Sequence, residues 1–173
     1  MPALSLDDNR WANLWCRNGT AENLPRQIGY LLDHLEDTTA FNHLSDAACS
    51  DGTTWSAGFA AMPYFVEMAR KLPPAQRLKL LGTIGCIVTD ATLDTDDVHY
   101  RLELYLAEAY HQAIRDCLPL LAETLLCEQK GNDVVDLLFT AAALKGHIDL
   151  AELLLNLDAS NMNSCPHCGE ILG

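Results

Sequence analysis

Apolar residues recur every three or four positions along most of this chain, and this periodicity predicts α-helices. The clearest case is segment 54–72, where apolar residues form two neighbouring stripes and cover more than half of the helix surface. A helix with so wide an apolar face belongs at the centre of a fold. Thr53 or Thr54 can cap its start, and Pro63 should kink it because the proline ring clashes with the preceding turn. The stripes are Trp55, Phe59, Met62, Val66 and Ala69, and Gly58, Ala61, Phe65, Met68 and Leu72.

A second helix follows at once, because Pro73 and Pro74 suit a first helical turn. It is predicted to run to about residue 88 and to form an antiparallel hairpin with the helix before it. Gly82 and Gly85 lie inside it, where each glycine costs about 1 kcal/mol relative to alanine. We therefore expect another helix to approach closely at these glycines.

The rest of the chain is predicted to be helical as well, with no strand alternation bounded by turn residues. Pro119 should divide or kink a long helix, 98–128, Gly131-Asn132 should break the chain, and Gly146 should end a helix. The pattern predicts an all-α fold of stacked antiparallel helix pairs, either an α-solenoid or a compact helical bundle. We expect one domain, 1–158, and a tail, 159–173. The remaining predicted helices are 7–16, 21–34, 40–49, 133–145 and 147–157.

The chain is strongly acidic, with 24 Asp and Glu against 11 Lys and Arg and a formal net charge of −13. This charge repels nucleic-acid phosphates and anionic membrane surfaces, so neither is an expected partner. A basic protein partner is favoured because opposite fields speed encounter, although the charge could equally serve solubility alone.

Two features predict a cytoplasmic protein. Segment 1–15 has neither the basic start nor the long apolar stretch of a signal peptide, and no segment approaches the ~20 apolar residues of a membrane-spanning helix. Five of the seven cysteines stand singly in apolar, helical surroundings, which is typical of reduced thiols rather than of a disulfide framework. These five are Cys16, Cys49, Cys86, Cys117 and Cys127.

The sequence Cys165-Pro-His-Cys168-Gly near the end is the sharpest motif. Two thiolates at this spacing can hold one Zn²⁺ from a tight knuckle, and the glycine lets the turn close. A structural zinc site needs four ligands, however, and the chain contains no second such pair. Zinc at Cys165 and Cys168 is therefore a possible cofactor, and a redox pair is the alternative.

Glu108 and His111 have the Glu-x-x-His spacing of di-iron bundles, but no second copy of the motif is present. A partly exposed polar helix face explains them more simply, with His99 and Glu103 placed to pair across a turn. No nucleophile elbow, Walker loop or dinucleotide fingerprint occurs. The sequence therefore predicts a protein that is not an enzyme.

An acidic loop, 90–97, joins two predicted helices and is the candidate surface for Lys or Arg of a partner. The alternative is a solvated loop whose acids also favour the positive end of the next helix. A Ca²⁺ loop is excluded because the central glycine and closing glutamate are missing. Trp11 and Trp15, four residues apart, are expected on one helix face as core anchors. The candidate partner-binding residues are Asp90, Asp94, Asp96 and Asp97.

Segment 55–69, WSAGFAAMPYFVEMA, resembles a helix of a group of bacterial HEAT-like all-helical proteins. In that group a similar proline-containing helix precedes a proline-started helix and a short acidic loop. The likeness covers roughly 11–169 and consists mostly of packing motifs. Some members act as immunity proteins beside secreted toxins, so the resemblance implies toxin neutralisation. The matching segments are 57–66, 73–88, 90–97, 142–147 and the terminal Cys-Pro-x-Cys.

The leading hypothesis is an immunity-type protein that binds a cognate, basic bacterial toxin by direct contact and occludes its active site. One alternative is a general helical-repeat scaffold or adaptor without a toxin partner. A third is a metalloenzyme built on Glu108 and His111. The neighbouring gene would separate the first two, because only an immunity protein is encoded beside a toxin.

Overall fold

The computed structural model describes residues 2–50, 53–91, 97–127 and 131–155. Within these ranges it contains seven α-helices, two 3₁₀ helices and four strands of two residues each, so the all-α class is confirmed. The α-helices are α1 (Leu24–Asp33), α2 (Thr38–Ala48), α3 (Ser56–Lys71), α4 (Leu78–Asp90), α5 (Leu104–Leu125), α6 (Gly131–Leu144) and α7 (Ile148–Leu155). The 3₁₀ helices are Asn9–Asn13 and Pro74–Gln76, and the strands are β1 (Trp15–Cys16), β2 (Gly19–Thr20), β3 (Cys49–Ser50) and β4 (Thr53–Thr54).

The helices stack as pairs, as predicted. The pair α3–α4 lies on the pair α5–α6, with α3 packed against α5 and α4 packed against α6. On one side α1 and α2 pack against α3, and on the other α7 packs against α6. Among the helices of the described ranges, none combines the length and apolar character that crossing a membrane requires.

One hydrophobic core runs from Leu4 to Ala151, and α3 lies at its centre. Every residue from Ser56 to Met62 is buried, followed by Phe65, Val66, Met68 and Ala69. Most of the wide apolar face that predicted a central helix is therefore covered by α1, α2, α4 and α5, while Trp55 and Leu72 at its ends are half-buried. Gly146 ends α6 as predicted, with a left-handed φ of 77° that glycine adopts without strain.

The two glycines of α4 differ. A Cβ atom on Gly85 would lie 2.8 Å from Phe139 Cε1 and 3.1 Å from Thr140 Cα, so α6 does approach closely there. A Cβ atom on Gly82 would meet nothing within 4 Å. The predicted close approach is right at Gly85 and wrong at Gly82.

The first twenty residues are less helical than predicted. Segment 7–16 contains a 3₁₀ helix and then β1, which pairs with β2 through a tight turn, with Gly19 at a φ of 119°. Trp11 is a buried anchor whose Nε1 donates to Ser5 O at 2.9 Å. Trp15 is half-buried on β1, so the two tryptophans do not share a helix face.

Helix α3 begins without the predicted threonine cap. Thr53 and Thr54 form β4, and the residue before the helix is Trp55. The Trp55 amide donates to Ala48 O at 3.1 Å, and the Ser56 amide donates to His99 O at 2.7 Å. Backbone carbonyls from distant segments thus satisfy the start of this helix, which local sequence patterns do not reveal.

Two predicted boundaries in the second half were also wrong. Helix α5 begins at Leu104, not near 98, and continues through Pro119 to Leu125. Pro119 is exposed, where the carbonyl that loses its helical donor can be hydrated, so the helix need not end there. Helix α6 begins at Gly131, not at 133, so Gly131 belongs to the helix and not to the break before it.

Candidate protein-binding surface

Asp90 serves an internal contact. It is the last residue of α4, half-buried, and its carboxylate accepts a hydrogen bond from the amide of Thr54, a buried residue of β4. Partial burial raises the pKa of Asp90 above its ordinary value, while the bond from Thr54 opposes that change. This carboxylate fastens β4 to α4, and partner binding through it remains a prediction.

Replacing Asp90 tests this internal role. We expect Asp90→Ala to lower the free energy of unfolding by about 1 kcal/mol, because the buried Thr54 amide loses its acceptor. Asp90→Asn keeps an oxygen acceptor and should be nearly neutral. Urea unfolding measures both variants, and equal losses would show that the hydrogen bond is not the stabilising feature.

The difference in stability between wild type and Asp90→Asn should depend on pH. Because the pKa of Asp90 is higher in the folded chain than its ordinary value of 3.8, the unfolded chain binds fewer protons in the interval between the two values. Wild type should therefore lose stability relative to Asp90→Asn as the pH rises through that interval. If the difference in the free energy of unfolding between the two proteins stays constant with pH, the pKa of Asp90 is not raised in the folded chain.

Asp97 is exposed and holds the segment that leads into α5. Its Oδ1 accepts a bond from the His99 amide at 2.9 Å and lies 2.5 Å from His99 Nδ1. These bonds lower the pKa of Asp97. His99 thus pairs with Asp97, and Glu103 pairs with Arg101 at 2.9 Å, instead of with each other as predicted. Asp94 and Asp96 lie outside the described residues.

The described residues contain no group of three or more His, Cys, Asp and Glu side chains arranged to hold a metal ion. Glu108 and His111 are exposed on α5, consistent with the polar face that the sequence predicts for them. The candidate zinc ligands Cys165 and Cys168 lie outside the described residues, so zinc at the knuckle stays a prediction.

A polar pocket beside the β1–β2 hairpin has a volume of about 520 Å³ and is lined by Cys16, Arg17, His43 and Asp46 among others. A thiol, an imidazole and a carboxylate are the residue types of nucleophilic catalysis. However, the Cys16 thiol contacts Thr20 O at 3.7 Å, a backbone carbonyl that cannot take its proton as a general base. The pocket therefore lacks an observed nucleophile–base pair.

Helix α7 exposes several large apolar side chains. Leu150 is 47% exposed and Leu153 60% exposed, and they lie one helical turn apart on the same face. Leu155 at the end of α7 and Leu138 on the adjacent α6 are exposed as well. Solvent-exposed large apolar side chains on neighbouring helices are typical of an interaction site.

One carboxylate lies on the same side of α7 as Leu150 and Leu153. Asp149 is exposed one turn before Leu153, so an acid and a leucine share one face of α7. Segment 131–155 contains four Asp and Glu residues against one Lys or Arg, Lys145. We call the exposed Asp149, Leu150 and Leu153, which lie on one side of α7, the leucine–carboxylate surface.

The sequence contains a signal for this surface that its apolar periodicity obscured. Ile148–Leu155 has five leucines or isoleucines in eight residues, more than one face of so short a helix can bury. Only Ala151 of α7 is fully buried, because the helix packs against α6 and, more lightly, α4. A comparison of the number of apolar residues in α7 with the number of helices that could cover them would have indicated that some of these residues stay exposed.

Comparison with known proteins identifies no relative of this chain: no family model, no curated protein and no solved structure matches it. The resemblance to HEAT-like immunity proteins therefore stays a prediction from the sequence. The stacked helix pairs are established by the packing of α3 on α5 and α4 on α6 alone.

Proposed function

We propose that this chain is an immunity-type protein that binds a basic toxin through the leucine–carboxylate surface and thereby blocks the toxin. The observation that carries the proposal is the combination of exposed leucines and acids on α7, with Leu150, Leu153 and Asp149 on one side of the helix. Leucines supply area that gains free energy when it leaves water. Carboxylates speed encounter with a basic surface and disfavour acidic competitors.

Charge selects the occupant of this surface. A second copy of the chain would bring a formal charge of −13 to an already acidic face. Segment 156–173 of the same chain carries Asp158 and Glu170 and no Lys or Arg, so it does not complement the face either. A partner with apolar side chains among Lys and Arg complements both features, as a basic nuclease domain would.

The test is coexpression with the product of the neighbouring gene. That product should be toxic alone, and the wild-type chain should restore growth. Leu150→Ser with Leu153→Ser should abolish the rescue, because two apolar anchors leave the interface while the core is untouched. The matched control is Leu104→Ser, since Leu104 is 89% exposed on α5, outside the leucine–carboxylate surface.

The outcomes separate the possible occupants. A harmless neighbouring product, or rescue that survives the double substitution, contradicts the proposal. A wild-type dimer that the double substitution converts to a monomer would identify a second copy as the occupant. Binding that appears only after deletion of 156–173 would identify the chain's own tail as the segment that covers the surface.

A further inference from the structure

Two cysteines from different elements meet where the β3–β4 hairpin lies on α4. Cys49 begins β3 and pairs with Thr54 of β4, and the Thr54 amide binds Asp90, one turn beyond Cys86 on the same face of α4. The two thiols are therefore neighbours, and each shifts the pKa of the other. Thr54 Oγ1 donates to Cys49 Sγ at 3.3 Å from the paired strand β4. Both cysteines are half-buried and neither is in a disulfide. The hairpin therefore holds one thiol against the other, within reach of small solutes.

The remaining described cysteines are placed differently. Cys117 is fully buried in α5, and burial raises the pKa of its thiol to about 12, so it is not reactive. Cys16 is buried beside Thr20 O. Cys127 is half-buried, and its thiol contacts the carbonyl of Glu123 at 3.6 Å. None of these three thiols is a neighbour that affects the pKa of Cys49 or Cys86.

The contact makes the two thiols unequal. Donation from the Cys49 thiol lowers the pKa of Cys86, because the bond stabilises the Cys86 thiolate, while burial and the carboxylates of Asp136 and Asp90 oppose this. The same bond raises the pKa of Cys49. Cys86 is thus the better nucleophile and Cys49 is its protonated neighbour.

We propose that Cys49 and Cys86 are a peroxide-sensitive thiol pair that closes into an intramolecular disulfide. The Cys86 thiol ionises, its thiolate attacks the terminal oxygen of a hydroperoxide, and the O–O bond breaks. The departing alkoxide or hydroxide takes up the proton that the Cys86 thiol released and leaves as alcohol or water. Cys86 is then a sulfenic acid. The Cys49 sulfur attacks the Cys86 sulfur, and the hydroxyl leaves as water with the Cys49 proton. Two thiols are oxidised by two electrons in total, and one peroxide is reduced.

The disulfide would join β3 to α4 and enclose the whole of α3 within the loop between residues 49 and 86. Closing a loop of this length restricts the unfolded chain, so Tm should rise by about 5–10 °C on oxidation.

Peptide mass mapping after hydrogen peroxide tests the proposal on the full wild-type chain. Trypsin places Cys49 in peptide 27–70 and Cys86 in peptide 80–101, each with a single cysteine. We expect these two peptides to appear joined, with the loss of two hydrogen atoms, and to separate again after dithiothreitol. Joined peptides should dominate over pairings that involve Cys127 or Cys117.

Two variants sharpen the result. In Cys49→Ser, the Cys86 sulfenic acid lacks its partner and should react with dimedone, whereas wild type should be labelled several-fold less. Cys117→Ser should form the cross-link as wild type does. Oxidation of Cys49 and Cys86 to separate sulfinic acids, without the cross-link, would overturn the proposal. So would a cross-link formed equally by Cys49 and any other cysteine.

Discussion

Gly85→Ala is expected to lower the free energy of unfolding by about 2–3 kcal/mol, although alanine is the better helix former. The new methyl group would lie 2.9 Å from Thr140 Oγ1 and 3.1 Å from Thr140 Cα, and a backbone atom cannot rotate away. It would also meet the buried ring of Phe139 at 2.8 Å. Helices α4 and α6 must therefore separate, which loosens an extensive helix contact of the described chain.

Gly82→Ala is the matched control on the same helix. A methyl group there meets nothing within 4 Å, so only the helix propensity changes, and the variant should gain about 0.5–1 kcal/mol. Thermal unfolding of both variants measures the difference, which should separate their Tm values by about 10 °C. Losses of equal size at both positions would contradict the close packing of α4 on α6.

Arg77→Met is expected to cost about 2–3 kcal/mol. Arg77 is only 5% exposed, and its guanidinium joins the end of α3 to α5. Nε donates to Leu72 O at 3.0 Å, and Nη1 donates to Glu123 Oε2 at 2.7 Å and to Leu120 O at 3.4 Å. Methionine fills the same space but leaves the buried carbonyls without this donor.

Glu123→Gln separates the charge from the hydrogen bonds. The Glu123 side chain is 56% exposed, so its ion pair with Arg77 is screened by water, and glutamine can still accept from the guanidinium. The variant should lose less than about 1 kcal/mol. Urea unfolding at low and high salt measures both variants. A Glu123→Gln loss as large as that of Arg77→Met would mean that the ion pair, not carbonyl binding, stabilises this junction.

The helix order and the central place of α3 could be predicted because both follow from apolar spacing along the chain. The segment Ser56–Met62 offers apolar or small residues on every side, and only a buried helix accommodates that composition. Gly82 and Gly85 show where this reasoning stops. They carry the same local signal, but only Gly85 lies opposite Phe139 and Thr140 of α6.

The candidate site was harder to predict, because it depends on contacts between distant residues. Asp90 was predicted as part of an exposed acidic loop, yet it belongs to α4 and binds the Thr54 amide thirty-six residues away. The spacing of Leu150 and Leu153 is also compatible with a buried helix stripe. They are exposed because α6 and α4 do not cover this side of α7. Cys49 and Cys86 meet only because β3 folds onto α4.

The central claim is that the leucine–carboxylate surface binds a basic toxin, and calorimetric titration with the purified product of the neighbouring gene tests it most directly. We expect wild type and Leu104→Ser to bind with similar Kd values, and binding to weaken with salt. Leu150→Ser with Leu153→Ser should raise the Kd about 30-fold, as the loss of two half-exposed leucines predicts. Equal Kd values for the double variant and wild type, or no binding by wild type, would contradict the account.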